Sequence, residues 1–397
     1  MRLSYALEAF ASLTLLGILV RAQTPSFTRS FYGMAYSPEG AILPNCGASQ
    51  ANVTRDMALL AQMTPRLRLY GSDCNQTELV LQGIKDAGNV DLSIWLGIYI
   101  DGNDTVYQRQ LDAVTTAIKK YGTEHIAGIT VGNEFLLLSF GEGGTAADPK
   151  GIAARATLLN YVQKTNSTIQ AMKLDKPIPL GTSDAGSAVT KELCAGVDYV
   201  MANVHPWFGS VPIEQAAVWT WQFFQDFDVK ICAQAPNNPI MYIAETGWPT
   251  ASDEASKAVN GASSPASSQN LQRFMDDFVC QANANQTNYF FFEYKDEIWK
   301  KIYGGVEPHW GLYDQDMKFK DLKTPNCPVT SPTGRSVAPL SKSAISGAPG
   351  GSGGVSVASD GAKTGSSSPS LTSINRSSFM LLLFNISLAF SALLLVL

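Results

Sequence analysis

Between residues 23 and 328 the chain alternates short apolar runs with longer amphipathic stretches, and this alternation limits its fold more than any other feature. The runs are "FYGMAY" (31–36), "RLRLYG" (66–71), "LSIWLGIYI" (92–100), "IAGITVG" (126–132), "PIPLGTS" (177–183), "VDYVMANVH" (197–205), "PIMYIAE" (239–245) and "YFFFEY" (289–294). Strands apolar on both faces suit a parallel sheet covered by helices, because neither face meets water. The stretches between them carry helical spacing. In "TVYQRQLDAVTTAIKKYG", Tyr107, Leu111, Val114 and Ile118 share one face, and Lys119 and Lys120 precede Gly122 at the expected stop. "VTRDMALLAQM" and "ASSQNLQRFMDDFVCQA" are spaced alike. Eight strand candidates separated by helices predict a single α/β domain, a (β/α)8 barrel over residues 23–328. An open doubly wound sheet would need a Gly-rich phosphate loop after its first strand, and "YGMAYSPEGAILPNCG" supplies none.

Outside that span the composition changes. Residues 1–22 place Arg2 before "FASLTLLGILV" and "RAQ", the pattern of a signal peptide cleaved after about Ala22. Residues 329–375 are rich in Ser, Gly and Pro and read as a flexible linker. Residues 376–397 end in "FMLLLFNISLAFSALLLVL", nearly long enough to span a bilayer. No Lys or Arg follows to hold such a span, and small residues with a polar spacer precede it. The expectation is therefore a removed signal for a glycosylphosphatidylinositol anchor, with Gly365, Ser366 or Asn375 as the attachment residue.

Six cysteines and acceptor sequons at Asn52, Asn75, Asn103, Asn166 and Asn285 fit an exported, disulfide-bonded, glycosylated protein. The cysteines contain no CxxC pair, so no zinc site is expected, and no other metal or cofactor signature appears. A net charge of −5 gives no support for nucleic-acid binding. A monomer is expected.

Two of the apolar runs end in a carboxylate, Glu134 after "TVGN" and Glu245 in "MYIAETGWP". A buried carboxylate is costly unless paired or neutralised, so each acid is placed at a strand end facing a cleft. Met241, Ile243 and Glu245 share parity, which turns Glu245 inward if the first two line the barrel. In a (β/α)8 barrel the strand ends form the catalytic mouth. Two acids across such a mouth are the minimal equipment for cleaving a glycosidic bond: one protonates the leaving oxygen, and the other attacks the sugar or activates water.

"TVGNE" and "AETGWP" resemble the two signature segments of glycoside hydrolase family 17, the endo-β-1,3-glucanases and related glucanosyltransferases. "RLRLYGSDC", "FFFEYKDEIWK" and "EPHWGLYD" also resemble segments of its fungal branch. The resemblance implies a retaining mechanism with Glu134 as acid/base and Glu245 as nucleophile. It implies a β-1,3-glucan substrate in a fungal wall and a location at the outer membrane face or in the wall. Glucanosyl transfer, or glucan binding without catalysis, are the alternatives.

Supporting residues follow. Asn133 matches a position that in related barrels bonds the sugar 2-hydroxyl, and Arg68 can hold Glu245 ionised, with Tyr70 beside it. His205 departs from the Tyr usual in plant relatives. Trp207, Phe208, Trp248 and Trp310 are candidates for stacking on glucose. Glu293, Asp296 and Glu297 crowd the last strand's end, where they raise one another's proton affinity unless Lys295 and Lys300 neutralise them. His125, ahead of the fourth strand, reads as structural.

Overall fold

All eight apolar runs form strands that pair in parallel and in sequence order, and β8 closes back on β1. In this computed structural model, which describes residues 27–141 and 144–330, they are β1 (Met34–Ala35), β2 (Arg66–Arg68), β3 (Ser93–Ile98), β4 (Ile126–Asn133), β5 (Leu180–Ala185), β6 (Tyr199–Asn203), β7 (Ile240–Thr246) and β8 (Tyr289–Phe291). The expected leader, the attachment residues Gly365, Ser366 and Asn375, and the apolar tail lie outside the described residues.

The helices are α1 (Gln50–Met63), α2 (Gln76–Asp86), α3 (Asp104–Tyr121), α4 (Phe135–Phe140), α5 (Pro149–Ala171), α6 (Lys191–Ala195), α7 (Ala216–Phe223), α8 (Lys230–Cys232) and α9 (Ser268–Ala284). A π-helical segment, Phe224–Val229, joins α7 to α8. Helix α3 shows how sequence sets the boundaries. Asn103 caps its start by accepting the Thr105 N–H at 2.9 Å, the predicted apolar face is buried, and Gly122 ends it at φ 74° with open space around it.

Two apolar layers result. The larger lies between the sheet and the helices and includes Val131 and Ile243. The smaller joins Trp95, Tyr199, Met201, Tyr242, Ala244 and Phe290. Trp95 on β3 meets Tyr242 on β7 at 5.6 Å between ring centroids and Phe290 on β8 at 5.3 Å. Strands that far apart in the ring touch only across the barrel's interior, so this cluster fills it.

That placement corrects the parity expected for β7. Tyr242 and Ala244 point inward, whereas Ile243 packs outward and Met241 joins the same outer layer. Glu245 nevertheless reaches the interior because the register slips between Ala202 and Asn203 on β6 and again between Ile243 and Thr246 on β7. A strand irregularity of this kind re-aims a side chain. Strand β4 does the same between Thr130 and Asn133, where Gly132 adopts φ 84°.

Disulfides join Cys46 to Cys74, Cys194 to Cys232 and Cys280 to Cys327. The five sequon asparagines in the described residues, Asn52, Asn75, Asn103, Asn166 and Asn285, are all exposed.

Candidate active site

Glu134 follows β4 in a left-handed conformation, φ 54°, and stands at the start of α4. Asp184, at the end of β5, holds that turn. Its carboxylate accepts the N–H groups of Leu136 at 2.8 Å and Leu137 at 3.1 Å, satisfying donors that a helix start leaves open. Strand β4 and helix α4 thus meet at a fixed angle, and Glu134 is the residue at the corner.

Glu245 lies at the end of β7, buried between two cationic-capable partners. Arg68 Nη1 donates to Oε1 at 2.9 Å, and His205 Nε2 lies 3.0 Å from Oε2. Arg68 is itself buried, donating to Asn133 Oδ1 at 2.6 Å, to Ser183 Oγ at 2.8 Å and to the Ala244 carbonyl at 3.3 Å. Asn203, at the end of β6, donates from Nδ2 to Glu134 Oε1 at 2.9 Å and lies 3.4 Å from Asn133 Oδ1. One network, Glu245–Arg68–Asn133–Asn203–Glu134, therefore links the two acids across the mouth.

The two carboxyls are driven in opposite directions. Burial, then the Glu245 charge, raise Glu134 to about 8 against the hydrogen bond from Asn203. Burial would also raise Glu245, but the His205 hydrogen bond and the Arg68 charge overcome it and hold it at about 2. One group is kept as an acid and the other as a carboxylate.

The remaining sequence-predicted residues divide into those at the mouth and those beneath it. Asn133 commits its oxygen to Arg68 and is half-buried at the end of β4. Tyr70 stacks on Arg68, with the guanidinium carbon 4.3 Å from the ring centroid, and its buried hydroxyl is raised by burial and then by the Glu245 charge. His205 sits inside a box of Phe208, Phe292 and Trp310 at 5.7, 5.3 and 5.0 Å between centroids.

The aromatic and acidic residues expected at the mouth differ in burial. Trp248 is fully enclosed, packs edge-on against the buried Trp207, and gives its indole N–H to the Pro265 carbonyl. Trp310 is equally enclosed and serves as a wall for His205. Glu293 is buried and pairs with Lys300 at 3.1 Å, and Lys300 also reaches Glu297 at 2.6 Å. Burial and then the Glu297 charge nevertheless raise Glu293 well above the ordinary carboxylate range, with Lys300 offsetting them only in part. Lys295 instead pairs with Glu39, and Asp296 with Lys320. His125 bonds the Leu92 carbonyl and the Asn89 side chain at the opposite end of β4.

Sequence reasoning passed over Asn203, Ser183, Asp184 and Glu307. Asn203 shares parity with the interior residues Tyr199 and Met201, and Asp184 is another acid ending an apolar run. Both signals were legible. Glu307, within "EPHWGLYD", is raised by burial and lies in electrostatic reach of Lys300, His205 and Glu245.

The chain is similar to several known proteins. The probable glucan endo-1,3-β-glucosidase btgC of Aspergillus clavatus is 42% identical over 311 residues, covering 75% of this chain and 43% of that protein. The glucan endo-1,3-β-glucosidase btgC of Emericella nidulans is 36% identical over 317 residues, covering 75% of this chain and 46% of that protein. The chain spans less than half the length of these relatives. The crystal structure of a family 17 β-1,3-glucanosyltransferase from Rhizomucor miehei superposes with TM-score 0.58 at 23% identity, over 74% of this chain and 97% of that one. An endo-laminarinase from Formosa does so at 0.59 and 18%, over 78% and 93%. These two likenesses show the barrel fold. The BtgE/BtgC glycoside hydrolase domain matches residues 33–311, and the chain belongs to that family of glycoside hydrolase domains.

Proposed function

We propose that the protein cleaves β-1,3-glucan within the chain by a retaining route. Glu134, held protonated, gives its proton to the glycosidic oxygen while Glu245 attacks the anomeric carbon. Glu134, now a carboxylate, then takes a proton from the water that displaces Glu245 from the glycosyl-enzyme. Asn133 offers its amide N–H2 to the sugar 2-hydroxyl. The observation that carries this proposal is the opposed displacement of two carboxyls joined by one hydrogen-bonded network. The names of the curated relatives support the choice of glucan.

Glu134→Gln and Glu245→Gln should each lower turnover on laminarin by at least about a thousandfold while the proteins remain folded by circular dichroism. Retained turnover in either variant would overturn the assignment. On a reduced laminarin oligosaccharide, shorter products with the β-anomer formed first should dominate. Products longer than the substrate would replace hydrolysis by glucanosyl transfer, and α-anomers would replace retention by inversion. Laminarin binding that survives Glu245→Gln in a parent protein without turnover would leave a binding module.

We also place the domain outside the cell, at the membrane or in the wall. Three disulfides and five exposed sequons support an oxidising, glycosylating route. Mobility unchanged by peptide N-glycosidase on the native protein would count against it.

A further inference from the structure

Beyond β8 the chain makes a 3-10 turn, Ile298–Tyr303, at the same end of the barrel as the two glutamates. Its side chains are divided between interior and solvent. Lys300 points inward, binding Glu293 and Glu297 and lying 4.5 Å from the centroid of Phe292, which itself flanks His205. Trp299 is 41% exposed, whereas the indoles of Trp207, Trp248 and Trp310 are buried. Tyr303 lies edge-on to Trp299, 6.0 Å between centroids, and within electrostatic reach of Tyr99 and Glu307. Ile302 beside them is 72% exposed.

An exposed indole paired with a phenol is an apolar surface with polar edges, which suits the C–H faces and peripheral hydroxyls of a glucosyl ring. The turn carrying it is already fixed by the Lys300 ion pairs, so little ordering remains to oppose binding. A short series of contacts, Glu245–His205–Phe292–Lys300–Trp299, leads from the nucleophile to this surface. Three side chains thus separate this surface from the nucleophile.

We propose that Trp299 and Tyr303 form a stacking platform for outlying glucosyl units of a β-glucan chain, a subsite that favours long chains over short ones. This rests on the glucan-cleaving function proposed above. Trp221 provides a matched control, since it is also exposed, at 37%, but lies on α7 in the outer ring of helices.

Binding is measured on the full chain carrying Glu245→Gln, by calorimetry with laminarin and with laminaritriose. Adding Trp299→Ala should weaken laminarin binding about tenfold more than laminaritriose binding. Trp299→Tyr should restore most of the loss, and Trp221→Ala should cause none. Equal losses for both ligands, no loss for either, or a like effect of Trp221→Ala would overturn the platform while leaving the hydrolase intact. If the parent bears no affinity for laminarin at all, the platform falls, and laminarin turnover by the unmutated protein decides separately whether the glucan substrate stands.

Discussion

Single residues set the protonation of this site, and their contributions can be separated. In the proposed mechanism the working form carries Glu245 as a carboxylate, lost as pH falls through about 2, and Glu134 as an acid, lost as pH rises through about 8. The basic limb of kcat/KM is therefore the one accessible under ordinary conditions. Two variants should move the Glu134 pKa in opposite senses. Glu245→Gln removes the negative charge that helps keep Glu134 protonated, so the Glu134 pKa should fall while staying above the ordinary carboxylate range, because burial is the larger cause. Asn203→Ala removes a donor that favours the ionised form, so it should rise. Carbon-13 titration of the Glu134 carboxyl reads both shifts. A value that stays put in Glu245→Gln would mean that the two acids do not share one electrostatic field.

Strand irregularities deliver those residues, and here sequence and structure part company. The strands themselves were legible because burial on both faces leaves an apolar run that few other elements produce. The glutamates were legible as acids that end such runs. The inward turn of Glu245 was not, since counting alternate residues assumes regular pleating and the register slip beyond Ile243 breaks it. Nor was the burial of Trp248 and Trp310, which depends on loops joined from distant parts of the chain. Gly132 is the residue that permits the corresponding slip on β4. At φ 84° an added Cβ would be strained, and it would also lie 3.3 Å from Ile100 Cδ1 and Leu158 Cδ1. Gly132→Ala should cost about 1–2 kcal/mol in urea unfolding. It should lower kcat by a larger factor than it raises KM, because the displaced group is Glu134. Turnover like that of the parent, with the stability loss present, would show that the bulge does not aim the acid.

At the scale of the whole molecule the weakest seam of the barrel is β1 with β8, where β1 has two residues and a single registered pair, Met34 with Phe291, joins them. A clasp lies directly beneath that seam. Ser30 Oγ donates to the Pro325 carbonyl at 2.7 Å and accepts the Cys327 N–H at 2.9 Å, and Val329 N–H donates to the Arg29 carbonyl at 2.9 Å. Asn283 on α9 donates to the Ser30 carbonyl at 2.7 Å, and Cys280 on the same helix is bonded to Cys327. The disulfide spans 47 residues and fixes both ends of this clasp to one helix. In a chain-entropy account, closing a loop of that size contributes on the order of 4 kcal/mol, and removal of native disulfides typically costs about 2–5 kcal/mol. Replacing Cys280 and Cys327 by Ala should lower global stability by that amount. It should also increase hydrogen exchange first at Phe291 and Tyr294, whose amides bond to Gly33 and Ala35 across the seam, before the amides joining β3 to β4. Uniform exchange through the barrel in the double variant would instead mean that the disulfide supports the sheet as a whole and that the seam opens no sooner than the rest.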